Sequence, residues 1–231
     1  MRNSDIARNL AGLQEAIQAR AIASSRDPSE IQLLAVSKTF PPDTVVQACQ
    51  AGQRSFGENR IQEAEKKIPQ LNELQIEWHL IGHLQSNKAR KAVELFDVIQ
   101  TVDSEKIARR IGRMAEEMGK VQKVHLQVNI AEEQQKFGIL PQQAERLCQV
   151  IDSLPGLDLL GLMAIPPYHE DPERSRPHFR RLAQLLSSLN SQRSQPLCGL
   201  SMGMSHDFEV AIEEVASFLR VGTALFGPLG L

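Results

Sequence analysis

Aromatic residues are scarce in this chain, with one tryptophan, one tyrosine and eight phenylalanines among 231 residues. A surface that stacks nucleic-acid bases needs interleaved aromatics and a basic excess. Here 26 Lys and Arg face 28 Asp and Glu, a formal net charge of -2, so no nucleic-acid partner is expected. Cysteine is also rare. Cys49, Cys148 and Cys198 are odd in number, far apart and free of any CxxC spacing, which argues against a disulfide framework or a cysteine metal site and for a reducing cytoplasm. No uncharged apolar run reaches the roughly 18 residues of a membrane span, so no membrane partner is expected. The start, Met1-Arg2-Asn3-Ser4-Asp5, leads into a mixed polar helix pattern without the apolar core of a secretory signal. Ser- and Gly-rich linkers are missing too. Residues 1–231 are therefore expected to form a single domain. A monomer is the working expectation, though no residue pattern carries it.

What is present is an alternation of short apolar runs and helical patterns. Ile6, Leu10, Leu13 and Ile17 recur at helical spacing and predict an amphipathic helix ahead of the first strand. Strands are then expected at 31–38, 55–59, 78–82, 98–102, 124–130, 159–165, 197–202 and 218–223. In the fifth, Val124, Leu126, Val128 and Ile130 alternate with His125, Gln127 and Asn129, giving one apolar and one polar face. Between strands, Pro41-Pro42 opens a helix that stops at Gly52, and Glu63 and Lys67 stand at the favourable four-residue spacing. Asp103-Ser104 can cap a helix facing inward through Ile107, Ile111, Met114 and Met118, and Ser205 can cap one running through Ile212 and Val215. Eight strands separated by helices demand parallel pairing through right-handed crossovers, the pattern of a single (β/α)8 TIM barrel with an extra N-terminal helix. A doubly wound sheet would normally carry a glycine fingerprint after strand one, where this sequence has Ser37-Lys38-Thr39-Phe40-Pro41-Pro42.

In such a barrel the C-terminal ends of the strands carry the chemistry. Lys38 closes the first strand. Desolvated on one side, its amine would be available for Schiff-base formation with an aldehyde; alternatively it is a lysine reaching the rim. Asn59, after Phe56-Gly57-Glu58, offers both a donor and an acceptor, or caps a helix. Arg220, between Leu219 and Val221, must be paired if buried, either structurally or with a ligand. Gly222-Thr223 and the Ser201-Met202-Gly203-Met204-Ser205 segment follow the strands where barrels build phosphate sites from small residues and backbone N–H groups. His79 and His83 share a helical metal spacing but sit on a strand pattern without the intervening glutamate, so no metal is expected. Two basic clusters, Lys88, Arg90 and Lys91, and Arg174, Arg176, Arg180 and Arg181, read as solvated helix faces or anion contacts.

Three segments together resemble a known family. Leu34-Ala35-Val36-Ser37-Lys38-Thr39, Phe56-Gly57-Glu58-Asn59-Arg60, and Leu200-Ser201-Met202-Gly203-Met204-Ser205 with Asp207 and Glu209, closed by Arg220-Val221-Gly222-Thr223, resemble the YggS/PROSC family of pyridoxal-phosphate homeostasis proteins. The segments around Trp78-His79-Leu80-Ile81-Gly82-His83 and Gly161-Leu162-Met163-Ala164 fit as well. The resemblance implies an alanine racemase N-terminal domain-like barrel of fold-type III that carries pyridoxal 5'-phosphate as an aldimine on Lys38. It implies Arg220 at the pyridine nitrogen, Asn59 beside the ring, and Ser201, Ser205, Gly222 and Thr223 around the phosphate. It further implies a cytoplasmic protein that buffers or delivers the cofactor, with apo pyridoxal-phosphate enzymes as candidate partners and no catalytic residue of its own. A genuine racemase or decarboxylase is the rival reading, and a class I aldolase acting on a phosphosugar through Lys38 is the next. Racemisation in the related enzymes draws on a tyrosine from an additional C-terminal domain. This sequence stops at Leu231 and holds only Tyr168, in the Pro166-Pro167-Tyr168-His169 loop, so no amino-acid turnover is expected.

Overall fold

The computed structural model describes residues 3–227, with side chains from residue 5 onward. Eight parallel strands close into a barrel in sequence order: β1 (Gln32–Val36), β2 (Ser55–Glu58), β3 (Glu77–Leu80), β4 (Val98–Val102), β5 (Gln122–Gln127), β6 (Leu157–Met163), β7 (Gly199–Met204) and β8 (Phe218–Val221). The ring is shut by β1 against β8, with Gln32 opposite Phe218 and Leu34 opposite Arg220. Helices α1 (Asn3–Ala23), α2 (Pro42–Gln50), α3 (Ile61–Lys67), α4 (Ala89–Leu95), α5 (Glu105–Glu117), α6 (Ala144–Asp152), α7 (Arg176–Asn190), α8 (Phe208–Glu213) and α9 (Thr223–Phe226) surround it. All eight expected strands are present, each ending within a few residues of the expected position.

The extra helix forms as the periodicity predicts. Ile6, Leu10, Leu13 and Ile17 are all buried, each side chain contributing on the order of 1.5–3 kcal/mol by leaving water. That face lies against α2, α8 and α9. Just past α1, Arg26 donates to the carbonyls of Ile212 and Ala216, at 3.0 and 2.7 Å, tying the helix to the far end of the chain. Ser104 caps α5 as expected, accepting from the Ile107 N–H. No helix of the described residues is long and apolar enough to cross a membrane.

The polar face of β5 is buried, at His125, Gln127 and Asn129 alike, because that face points into the barrel while Val124 and Leu126 pack under the helices. The strand stops at Gln127, where Asn129 folds the chain back by accepting from the Glu133 N–H and donating to the Glu133 carbonyl. Two local expectations change. Lys67 does not pair with Glu63. It turns to Glu58, at 2.6 Å, leaving Glu63 to Arg60. The second is Ser205, which caps a different helix, as described below. The two basic clusters are ion-paired surface: Arg90 meets Glu117, Lys91 meets Glu94, and Arg176 and Arg180 share Glu214.

Candidate functional site

A cleft of about 480 Å³ opens at the C-terminal mouth of the barrel. Lys38, Asn59, Ser205, Arg220, Gly222 and Thr223 all line it. They arrive there from the ends of four strands, β1, β2, β7 and β8, or from the turns that follow. Ser201, the remaining expected site residue, lies deeper and does not line the cleft. It is fully buried, and its hydroxyl is taken by Arg220 and Gln100.

Lys38 sits one residue beyond the buried Ser37, in a tight turn closed by the Phe40 N–H on the Ser37 carbonyl at 3.1 Å. Thr39 adopts a left-handed conformation there, with φ of 68°. The expected desolvation is absent: Lys38 is exposed, because the strand ends at Val36 and the turn lifts its side chain to the mouth. What is buried is its support. Lys67 Nζ donates to the Ser37 carbonyl at 2.8 Å and to Glu58 Oε1 at 2.6 Å, while Ser37 Oγ donates to the same carboxylate oxygen at 2.7 Å. Burial raises the Glu58 carboxyl above its ordinary value against the pull of Lys67 and Ser37. The alternating pattern around Phe56-Gly57-Glu58 could have flagged Glu58 as a buried acid, but nothing local in the sequence names its partner.

Arg220 is 4% exposed and has no carboxylate in contact among the described residues. Its Nη1 donates to Ser201 Oγ at 2.6 Å and its Nη2 to the Ala164 carbonyl at 2.8 Å. A structural ion pair, one of the two open readings, is therefore replaced by two neutral acceptors, and burial pulls the guanidinium down to about 10. An arginine has five N–H donors, so this one retains donors while lining the cleft. Asn59 does not cap α3; its Oδ1 is buried without a partner. Gly57 faces inward for packing: a Cβ there would lie 3.1 Å from Ile81 Cδ1 and 3.2 Å from Leu34 Cδ2.

On the β8 side, Gly222 and Thr223 begin α9. Ser205 Oγ accepts from the Gly222 and Ala224 N–H groups at 3.2 and 3.3 Å. It thus caps α9, whereas α8 begins only after Asp207, whose Oδ1 accepts from the Met204 N–H at 2.7 Å and whose Oδ2 accepts from Ser175 at 2.9 Å. A hydroxyl held against backbone amides at a helix start marks a place that accepts negative oxygen. Around the rim, Tyr168 is 70% exposed with its ring 4.8 Å from that of His206, and His83 stacks on Phe137 at 3.9 Å. His79 lies inside the barrel and His83 on its rim, so the pair does not converge. No group of three His, Cys, Asp or Glu able to hold a metal occurs among the described residues.

The geometry defines a class: a parallel barrel with one lysine, one buried arginine and one amide cradle at a common mouth. The sequence matches the family described as alanine racemase, N-terminal domain, over residues 9–229. It is 45% identical over 226 residues to the pyridoxal phosphate homeostasis protein of Pseudomonas aeruginosa, covering 97% of this chain and 96% of that one. Among solved structures it is similar to PipY of Synechococcus elongatus, with TM-score 0.87 and 41% identity, covering 96% of this chain and all of that one. PipY has also been solved with pyridoxal phosphate bound, at TM-score 0.85 and 40% identity, covering 96% of this chain and all of that one. The chain belongs to the alanine racemase N-terminal domain family and, within it, to the pyridoxal phosphate homeostasis proteins.

Proposed function

We propose that this protein binds pyridoxal 5'-phosphate at the barrel mouth and holds or hands on the cofactor without transforming amino acids. The observation that carries the reading is Arg220, a buried cation with no carboxylate in contact among the described residues, which lines the same cleft as the Lys38 amine and the start of α9. These three groups match the three ends of one molecule. The Lys38 nitrogen condenses with the aldehyde, with loss of water, to hold the cofactor covalently. Arg220 donates to the ring nitrogen, and Ser205, Gly222 and Thr223 take the phosphate. Asn59, with its unpartnered Oδ1, lies beside the ring. Ser201 serves the site from beneath, through Arg220.

The same features support a carrier. A cation at the ring nitrogen disfavours protonation there and weakens the ring as an electron sink. The tyrosine available as a second acid or base, Tyr168, stands on an exposed rim rather than in a held position. We place the protein in the cytoplasm as a single cofactor-binding domain, 1–231, acting as a monomer with apo pyridoxal-phosphate enzymes as recipients. Cys49, Cys148 and Cys198 are all free thiols, which suits that compartment.

The test is the visible spectrum of the purified protein before and after borohydride, with peptide mapping. The expected result is a yellow protein whose reduced adduct maps to Lys38, with Lys38→Ala colourless but folded. An adduct on another lysine, or none, would sink the assignment. Lysine-dependent turnover of any amino acid at about 1 per second or faster would overturn the carrier reading in favour of an enzyme.

A further inference from the structure

The interior of the barrel holds a chain of polar groups that runs from the cleft to the opposite face. Arg220 Nη1 donates to Ser201 Oγ at 2.6 Å, and the Ser201 hydroxyl donates to Gln100 Oε1 at 2.6 Å. Gln100 Nε2 lies 2.9 Å from His79 Nδ1, and His79 Nε2 comes within 3.2 Å of Glu77 Oε2, near enough for a charge contact but off the line of a hydrogen bond. That carboxylate oxygen also accepts from Gln32 Nε2 at 2.8 Å. Ser201, Gln100 and His79 are completely buried.

The direction of this chain follows from its arginine end. A guanidinium can only donate, so the Ser201 oxygen accepts there and its single proton goes to the Gln100 oxygen. The amide then turns its NH2 toward His79. Nδ1 of His79 must be bare, which puts the proton of the neutral ring on Nε2, facing Glu77. Aligned donors in a low-dielectric interior strengthen one another. Reversal at the far end would be felt at the near end: an imidazolium would donate from both nitrogens, Gln100 would have to flip, and the Ser201 proton would lose its acceptor.

We propose that Gln100, His79 and Glu77 are positioning residues for Arg220, fixing its side chain and its free donors toward the ring nitrogen of the bound cofactor. The chain fixes the arginine's orientation through neutral groups, while the carboxylate whose charge reaches Arg220 is that of Asp207. A carboxylate in direct contact would neutralise the guanidinium and compete for the donors that face the cleft; three neutral groups in between orient it and leave its charge toward the ligand. This rests on the proposed binding of pyridoxal phosphate against Arg220.

The experiment uses the full chain with imidazole nitrogens labelled, then loaded with pyridoxal phosphate labelled at its ring nitrogen. Nitrogen NMR of the cofactor-free protein is expected to show His79 protonated on Nε2, and Gln100→Leu is expected to abolish that single tautomer. In the loaded protein, Gln100→Leu should move the ring-nitrogen resonance toward the protonated position. It should also speed cofactor transfer to an apo-enzyme by on the order of three- to tenfold, the worth of one hydrogen bond. Glu77→Gln, which keeps the contacts and removes the charge, should move both readings less and in the same direction. If Arg220→Leu moves the ring-nitrogen resonance while Gln100→Leu and Glu77→Gln leave it unchanged, the relay is overturned and the site reading stands. If Arg220→Leu leaves it unchanged, or the unmutated protein takes up no cofactor, the site reading itself falls and the relay with it. Should Gln100→Leu not fold, Glu77→Gln alone decides by the same criterion.

Discussion

Lys67 and His125 show how much of this protein's stability hangs on single buried groups. Lys67 binds Glu58 and the Ser37 carbonyl with its side chain only 7% exposed. Removing one member of a buried pair strands the other, at a cost of about 3–5 kcal/mol. Lys67→Met is therefore expected to lower the free energy of unfolding by that order in urea titrations, and adding Glu58→Leu should recover most of it; a double variant no more stable than Lys67→Met would refute the pairing argument. His125 is fully buried with both ring nitrogens unpartnered. Burial above all, with the nearby Arg220 guanidinium adding to it, holds its imidazole down to about 3. The unfolded ring takes its proton near pH 6.5, so the unfolded chain binds protons first as pH falls. Stability is then full above about pH 6.5 and declines toward pH 3 by up to about 1.4 kcal/mol per pH unit. Glu77, held down to about 2 chiefly by its contact with His79, adds a loss only below its ordinary value of 4.5. His178 shifts in the same direction as His125 through partial burial, so the comparison must be between variants. The slope of unfolding free energy between pH 6.5 and 4.5 should flatten in His125→Asn, and an unchanged slope would count against this account. None of these partners was legible in the sequence. Lys38, Arg220 and Gly222-Thr223 stood out as lone features at strand ends, whereas Glu58 with Lys67, and His79 with Gln100, acquire meaning only across elements.

Strands were legible because each carries a short apolar run or alternation that must be buried; what their remaining side chains face was not. An alternating strand such as β5 reads the same whether its polar side meets water or the inside of a barrel. Ser205 illustrates the same limit, since the amides it caps lie 17 and 19 residues further along the chain. Glycines divide on similar grounds. A Cβ on Gly161 of β6 would lie 1.8 Å from the Gly199 carbonyl oxygen in β7, backbone against backbone. At Gly222, by contrast, the nearest atom is 3.4 Å away and φ is -114°, open to any residue. Gly161→Ala should thus destabilise the fold by about 3 kcal/mol or more, while Gly222→Ala should leave the melting temperature within a few degrees. Equal melting temperatures for the two variants would contradict the close strand approach.

For the molecule as a whole, counting eight strands between helices led to the barrel, and the resemblance carried by the lysine, asparagine and serine-glycine segments led to the cofactor. Composition alone pointed to neither. What neither route disclosed is how late this architecture becomes complete. The ring closes only when β8 meets β1, with Phe218 beside Gln32, and α1 finds α8 and α9 only at the same stage. A ribosome adding about 5–20 residues per second needs on the order of ten seconds or more to pass from Gln32 to Phe218. Throughout that interval the growing sheet carries two open edges, one on β1 and one on the newest strand, and edges of that kind recruit wrong partners. The first helix to be synthesised is thus among the last to be fully packed, and until then the nascent chain depends on whatever shields its unfinished seam.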